Sequence, residues 1–136
     1  MKLRSVEGVA GLYEIVDDGR SVFDLDAMKF SMPREIKRQL KNVLILICQT
    51  LSVKGQDGLE DFVTDGLLRK IERNARAVEH GLWEIRHPAH GGRLFFVMDD
   101  DGNVIVSAVD KGFKDRSAQE KAINRGINRW EKFLKS

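Results

Sequence analysis

Hydrophobic residues in the first half of the chain recur with a helical period. After Pro33, which suits the first position of a helix, apolar residues lie three or four positions apart up to about Val53. This spacing predicts one long helix. A second helix is predicted over Leu59–Asn74, with Gly66 as its weak point. Because a short glycine-containing loop separates the two segments, we expect a helical hairpin.

In the second half of the chain the period changes to that of β-strands. Three apolar runs, Leu82–Arg86, Arg93–Met98 and Val104–Val109, are separated by turn-rich links, which predicts neighbouring antiparallel strands. Alternation then divides their side chains between two faces of a sheet. The face packed on the helices is predicted to carry Trp83, Ile85, Leu94, Phe96, Met98, Val104, Val106 and Ala108. The second face is predicted to carry Leu82, Glu84, Arg86, Arg93, Phe95, Val97, Ile105, Ser107, Val109 and Lys111.

The two ends of the chain complete the expected fold. Leu12–Val16 has the pattern of a first strand, and residues 1–11 are a candidate for a loose N-terminal extension. Val22–Phe30 is either a loop or a short helix that covers a sheet edge. Ser117 and Glu120 have the spacing of a capping box at the start of a C-terminal helix. The predicted fold is α+β: a small antiparallel sheet of the N-terminal strand and the three later strands, packed against the two-helix hairpin, with a C-terminal helix.

Length and composition are those of a single globular domain spanning residues 1–136. The chain is 42% hydrophobic and 32% charged, enough to bury a core without disulfides or metals. Cys48 is the only cysteine and lies in an apolar run too short to cross a bilayer. The N-terminus lacks the apolar core of a signal peptide. We therefore expect a cytoplasmic protein with a buried, inert thiol and no membrane partner.

Charge is distributed unevenly along the chain. Residues 1–30 contain four basic and six acidic side chains, whereas residues 111–136 contain eight basic and three acidic ones. Against an overall net charge of +2, this asymmetry is a modest indication of a polyanionic partner. A solvated helix face explains the basic C-terminal segment equally well.

Arginines at the mouth of the first hairpin are the main candidates for chemistry. In a symmetric hairpin Arg86 faces Arg93 directly, and opposed like charges cost a sheet stability, which suggests an anion partner. Lys111 on the same face, and Lys114 just beyond it, are placed to converge with them on a phosphate, which arginine binds bidentately. The alternative is that both arginines are strand-end residues that pair with nearby carboxylates such as Glu84.

The turns of this sheet contain histidines and aspartates. His87 and His90 are candidates for proton transfer because histidine titrates near neutral pH. They are weak candidates for metal ligands, since no third ligand is evident. Asp99–Asp101 lacks the downstream glutamate of a calcium loop and is better explained as a solvated hairpin turn. The sequence therefore predicts no metal site and no cofactor.

The order of motifs in the second half of the chain resembles that of a known protein family. LWEIR (Leu82–Arg86) is followed by an apolar strand opened by Arg93, a further strand VIVSAV, the segment KGFKDR and a helix. This order and spacing resemble the RelE/HigB-type toxins of bacterial toxin–antitoxin pairs, and look closest to the HigB-like branch that includes phage-derived relatives. The resemblance covers roughly Tyr13 to Trp130.

The resemblance implies a ribosome-dependent mRNA endonuclease that inhibits translation. In such enzymes the ribose 2′-OH attacks the adjacent phosphate without a metal, and basic residues stabilise the charge that develops. The implied partners are the ribosome and its mRNA, together with a cognate antitoxin, for which a helix-turn-helix protein is expected.

Matched position by position, the resemblance implies catalytic roles for Arg86, Arg93 and Lys114. It implies RNA-binding roles for Lys111, Arg116, His87 and Phe113. KGFKDR departs from the paired lysines of the family by interposing Asp115, so the identity of the second cation stays open. Because Tyr13 is the only tyrosine, no C-terminal tyrosine can serve in acid–base chemistry.

Two other functions stay open at this point. A ParE-like protein of the same fold would inhibit DNA gyrase without cutting RNA, and a supercoiling assay separates it from a nuclease. A non-catalytic, phage-derived interaction module would keep its partner binding after loss of Arg86 and Arg93.

Overall fold

A computed structural model of the chain describes residues 1–87, 92–112 and 115–136. The helices are α1 (Val22–Lys29), α2 (Arg34–Lys54), α3 (Glu60–Thr64), α4 (Ala75–His80) and α5 (Arg116–Leu134), with a 3₁₀ turn at Gln56–Leu59. The strands are β1 (Lys2–Ser5), β2 (Leu12–Asp17), β3 (Arg20–Ser21), β4 (Leu68–Lys70), β5 (Leu82–Arg86), β6 (Arg93–Met98) and β7 (Val104–Asp110). None of the helices within these described residues is long and apolar enough to cross a lipid bilayer.

One mixed sheet joins the seven strands of the described residues. The strand order is β1-β2-β7-β6-β5-β4, and the short β3 pairs with the end of β2. The α+β class, the N-terminal strand, the three consecutive later strands and the C-terminal helix are confirmed. The sheet is larger than expected, and β2 runs parallel to β7. A parallel pair is possible here because the connection between these strands is long enough to hold the intervening helices.

The first predicted helix is confirmed and the second is wrong beyond Thr64. α2 begins directly after Pro33 and ends at Gly55, whose φ is 67°. α3 is only five residues long, and Gly66 follows with a φ of 77° that favours glycine. The chain then enters β4, where Leu68 pairs with Ile85. Pairing with the sheet therefore outweighs the local helical pattern of this segment.

The segments near the two chain ends agree with expectation only in part: the short helix predicted as one alternative for Val22–Phe30 is present. Instead of a loose extension, the N-terminal residues form β1, in which Leu3 pairs with Ile15 of β2. Val22–Lys29 is the short helix α1, capped by the Ser21 hydroxyl, which accepts a hydrogen bond from the Asp24 N–H. α5 begins earlier than the predicted capping box, because its N-cap is Asp115.

Each face of the sheet has its own hydrophobic core. Buried residues of α1 and α2 pack on the first face: Phe23, Ala27, Leu40, Leu44, Ile47 and Cys48 meet Ile85, Leu94, Phe96, Met98, Val104, Val106 and Val109. Buried residues of α4 and α5 pack on the second face: Ala77, Ala122, Ile123 and Ile127 meet Leu82, Phe95, Val97 and Ala108. The second face is therefore covered over its apolar part.

A β-bulge in β7 changes which side chains share a face. Phe95 pairs with Ala108, but the next residue, Phe96, pairs with Val106, so Ser107 is the extra residue. Ala108 consequently lies on the second face and Val109 on the first, the reverse of the predicted alternation. Strict alternation cannot anticipate a bulge, which inserts one residue into one strand of a pair.

Buried ion pairs join α5 to α1. Asp26 of α1 is 1% exposed, and Arg129 approaches its two carboxylate oxygens at 2.7 Å each. Arg125 Nε lies 3.4 Å from Asp26 Oδ2, which also accepts the Val109 N–H at 2.9 Å. Two of the basic residues of the C-terminal segment are thus partners of a buried carboxylate and are not part of a solvated helix face.

Candidate functional site

Charged residues occupy two consecutive rungs on the second face of the sheet. One rung pairs Arg86 with Arg93 across β5 and β6, as the sequence predicted. The neighbouring rung on the same face places Arg69 of β4 beside Glu84 of β5. Side chains from three strands therefore converge at the end of the face where β5 ends and β6 begins.

Glu84 is the carboxylate at the centre of these residues. It is 1% exposed and lies between two guanidinium groups. Arg69 Nη2 donates a hydrogen bond to Glu84 Oε2 at 2.8 Å, and Arg93 Nε lies 2.8 Å from Glu84 Oε1. Arg69, Arg86 and Arg93 together with Glu84 form what we call the arginine cluster. Three positive charges around one negative charge leave it cationic.

Arg86 differs from the other two arginines in its surroundings. It is half-buried, and within the part of the chain that the structure describes no carboxylate lies at ion-pair distance from its guanidinium. Burial lowers the pKa of Arg93. The negative charge of Glu84 raises this pKa, whereas the positive charges of Arg86 and Arg69 lower it further. The like charges are therefore close enough to repel each other, and an anion bound among them would relieve this repulsion.

Asp110 connects the arginine cluster to the ion pairs under α5. It pairs with Arg93 in the sheet register, and Arg125 Nη2 donates hydrogen bonds to its Oδ2 at 3.1 Å and to the Val109 carbonyl at 2.9 Å. Burial raises the pKa of the Asp110 carboxyl, while Arg125 acts to lower it. Strand alternation predicts Lys111 on this face of the sheet, but the bulge in β7 places Asp110 there, and Lys111 follows the end of the strand.

The other predicted cations lie near the ends of β7 and α5. Lys111 is exposed directly after β7, and Arg116 is exposed as the first residue of α5. Phe113 and Lys114, the remaining predicted residues of this segment, lie outside the described residues. Of the predicted site residues, the structure thus brings together Arg86 and Arg93 on one rung.

His87 lies on the other side of the sheet. It is 7% exposed, and its Nε2 contacts the side-chain oxygen of Gln39 on α2. Its backbone N–H donates to the Gly92 carbonyl at 2.8 Å. His87, which the sequence suggested for proton transfer and RNA binding, therefore does not join the arginine cluster, because α2 packs over this end of the hairpin. His90 lies outside the described residues.

Arg69 is a site residue that the sequence pattern missed. It lies in a segment predicted to be helical, so its position beside Glu84 could not be inferred. Gly66 was the only local signal that the helix stops before it. Over residues 1–87, 92–112 and 115–136, no three His, Cys, Asp or Glu side chains are grouped so as to hold a metal ion.

The predicted turn after β6 is held by a single aspartate. Asp99 Oδ1 accepts the N–H groups of Asp101 at 3.0 Å and Asn103 at 2.8 Å. Its Oδ2 accepts the Asn103 side-chain amide at 3.0 Å. These bonds explain the acidic residue at the start of the turn as a turn-forming side chain.

No protein-family model, no curated protein sequence and no solved structure matches the chain. Function therefore has to follow from the chemistry of the site. Guanidinium groups are permanently charged and planar, and they bind phosphate oxygens with paired hydrogen bonds. A cationic group of three arginines on a rigid sheet is suited to a phosphate-containing ligand.

Proposed function

We propose that this protein is the toxin of a toxin–antitoxin pair, a ribosome-dependent mRNA endonuclease that inhibits translation in the cytoplasm. The observation that carries the proposal is the arginine cluster, in which Arg86 has no carboxylate partner among the described residues. The resemblance of the LWEIR and KGFKDR segments to RelE/HigB-type toxins supports the same activity.

The chemistry needs a strong cationic site and no metal. The ribose 2′-oxygen attacks the adjacent phosphorus as its proton leaves, a new 2′-O–P bond forms, and the P–O5′ bond breaks as the 5′-oxygen gains a proton. Negative charge accumulates on the phosphoryl oxygens during this step. Arg86 would stabilise that charge directly, because a fixed donor in a partly dehydrated site acts more strongly than one in water.

Arg93 and Arg69 would help to bind the same phosphate. Their contacts with Glu84 hold both guanidinium groups on the sheet, so little side-chain freedom is lost when the substrate binds. Arg93 is the more restrained of the two, because its side chain is 13% exposed against 42% for Arg69. We therefore expect Arg93 to position the phosphate and Arg86 to act on the developing charge.

Proton transfer would fall to a lysine. His87 lies beneath α2 on the opposite side of the sheet, away from the arginine cluster. Lys111 is the exposed lysine that directly follows Asp110, and Lys114 is the residue that the family resemblance implies. The partners of the proposal are the ribosome, its mRNA and a cognate antitoxin, expected to be a helix-turn-helix protein.

The test is expression of the protein in a bacterium under a tightly controlled promoter. We expect growth arrest and transcripts cut within their coding regions, both relieved by Arg86→Ala. Arg20→Ala, which removes an exposed arginine from the distant β3, should stay toxic and serves as the matched control. Growth arrest with intact transcripts and loss of supercoiling by gyrase would indicate a gyrase inhibitor instead of a nuclease. Unimpaired growth would favour a non-catalytic module.

A further inference from the structure

Strand β4 forms an open edge of the sheet. It pairs with β5 alone, and the Ile71 N–H and the Leu67 carbonyl on either side of it hydrogen-bond to β5 at 3.0 and 2.8 Å. Because inward and outward groups alternate along an antiparallel strand, the N–H and C=O groups of Leu68 and Lys70 point away from β5. These four groups have no hydrogen-bond partner within residues 1–87, 92–112 and 115–136. They are positioned to pair with an added strand.

A cleft follows this edge and reaches both faces of the sheet. Its volume is about 560 Å³, within the size range of ligand sites. Lys70 and Trp83 line it from the first face, where the Trp83 ring stacks on Phe96 with centroids 6.4 Å apart. Ile71 and Ile123 line it from the second face, as part of the core beneath α5. A cleft with walls from both faces suits an added β-strand, because the side chains of a strand alternate between the two faces of its sheet.

Basic side chains outnumber acidic ones in the lining of the cleft. Arg69, Lys70 and Arg73 contribute three positive charges, and Glu72 and Glu120 contribute two negative charges, which leaves an excess of one positive charge. Arg69 also belongs to the arginine cluster, so further cationic groups lie beside the cleft. Complementary charge favours a partner with acidic side chains and disfavours a basic one.

A second copy of the chain is poorly suited to pair with β4. Two β4 strands side by side would bring Arg69 and Lys70 close to the same residues of the copy, and opposed like charges destabilise a sheet. Short edge strands with charged side chains commonly prevent such self-pairing. The same charges attract a strand of opposite sign, so the edge favours an acidic segment of a different protein.

We infer that β4 binds an extended segment of another protein by strand addition, and that acidic and apolar residues alternate in this segment. The backbone of the segment would pair with Leu68 and Lys70. Its acidic side chains would face Arg69 and Arg73 on the second face, and its apolar side chains would contact Trp83 on the first face. The inference goes beyond the proposed nuclease and does not rest on it, because strand addition needs neither RNA nor a cleavage step.

Hydrogen exchange of single amides tests the backbone pairing. The probe is a capped peptide of six residues, alternately glutamate and valine, added to the full chain. At a peptide concentration about ten times its Kd, the Leu68 and Lys70 amides should exchange about tenfold more slowly. Leu3 and Ser5 serve as controls, because their N–H groups point outward from β1 at the opposite edge of the sheet. Their exchange rates should stay unchanged.

N-methylation of the peptide tests the same pairing without changing the protein. Only every second N–H of an added strand faces β4, so two isomers are compared, one methylated on the glutamates and one on the valines. One isomer should lose about tenfold or more in affinity, because its hydrogen bonds to the Leu68 and Lys70 carbonyls are lost. The other should bind like the unmodified peptide.

Charge substitutions test the preference for an acidic partner. Arg73→Glu reverses an exposed charge in the cleft and should weaken binding of the glutamate–valine peptide by about threefold or more at low salt. Arg20→Glu makes the same charge change on the distant β3 and should leave the affinity unchanged. A lysine–valine peptide of equal length should bind more weakly than the glutamate–valine peptide.

Several results would overturn strand addition at β4. These are absence of peptide binding, equal losses for the two methylated isomers, and protection of Leu3 and Ser5 in place of Leu68 and Lys70. Protection of β4 that rises with protein concentration without peptide would indicate a second copy of the chain instead. An oligonucleotide that binds at this edge when the peptide does not would indicate a nucleic-acid site.

The fate of this inference is separate from that of the proposed nuclease. Peptide binding at β4 by a protein that cleaves no mRNA would reject the nuclease and keep strand addition. Cleavage of mRNA by a protein that binds no peptide at β4 would reject strand addition and keep the nuclease.

Discussion

Arg93 and Glu84 contact each other diagonally across β5 and β6, with Arg93 Nε 2.8 Å from Glu84 Oε1. In the sheet register Glu84 pairs with Phe95, and Arg93 pairs with Arg86. Arg93 contacts one carboxylate oxygen of Glu84, and the other oxygen accepts a hydrogen bond from Arg69. One buried carboxylate therefore holds two arginines. Arg86 is the third arginine of the cluster, and no carboxylate among the described residues forms an ion pair with it. The proposed activity depends on this unbalanced positive charge.

Glu84→Gln should destabilise the fold. The substitution keeps the shape of the side chain but removes the negative charge that contacts Arg69 and Arg93, and breaking a buried ion pair costs on the order of 3 kcal/mol. Urea unfolding followed by circular dichroism measures the loss. Glu14→Gln, which removes a carboxylate paired with the largely exposed Arg4, should cost less than about 1 kcal/mol. Equal losses for the two variants would show that the arginine cluster does not depend on Glu84.

Asp26→Asn should weaken the packing of α5 against α1 and lower the stability of the fold. Asp26 is buried and bound by Arg129 and Arg125. An uncharged side chain would remove the carboxylate partner of Arg129 and leave Arg125 with Asp110 alone, at a cost of about 3 kcal/mol. Asp24→Asn on the exposed side of the same helix is the control, with an expected loss of about 0.5 kcal/mol from the helix N-terminus. Thermal unfolding compares the two variants, and a stable Asp26→Asn protein would contradict a structural role for this ion pair.

Gly126→Ala should destabilise α5, although alanine normally stabilises a helix by about 1 kcal/mol relative to glycine. A Cβ at this position would lie 2.9 Å from the Ser107 hydroxyl oxygen, where the bulge of β7 meets the helix. Overpacking of this kind costs about 1–3 kcal/mol. The double variant Ser107→Ala/Gly126→Ala removes the hydroxyl and should recover part of the loss. A Gly126→Ala protein that melts above the wild type would contradict the close approach of α5 to the bulge.

Cys48 should be unreactive in the folded protein. Burial raises the pKa of its thiol to about 11, so below that pH the reactive thiolate is a minor species, and its share grows as the pH rises. An aromatic disulfide reagent at pH 8 should label the native chain slowly and the urea-unfolded chain at once. Stoichiometric labelling of the native protein within seconds would show that the thiol is accessible.

The charged hairpin could be predicted from sequence because its determinants are local. Strand alternation and a short turn are enough to pair Arg86 with Arg93, and the structure has that pairing. The long helix α2 could also be predicted from sequence, because its apolar stripe, the proline before it and the glycine after it lie within one segment.

The parts that could not be predicted depend on contacts between distant segments. Leu68–Lys70 has a helical neighbourhood in sequence and becomes a strand through pairing with β5, which brings Arg69 into the site. The bulge at Ser107 places Asp110 opposite Arg93, a position that unbroken pairing from Phe96 and Val106 would give to Val109. His87 is buried because α2, almost fifty residues earlier in the chain, packs over it. Alternation within one strand contains none of this information.

Cleavage of mRNA on purified translating ribosomes is the measurement that tests the proposed function most directly. We expect wild-type protein to release fragments with 5′-hydroxyl ends, because 2′-oxygen attack expels the 5′-oxygen. Arg86→Ala should be slower by about 100-fold, the usual loss when one donor to developing charge is removed, and Arg20→Ala should match the wild type. Intact mRNA in the presence of wild-type protein, or equal rates for wild type and Arg86→Ala, would contradict the role assigned to the arginine cluster.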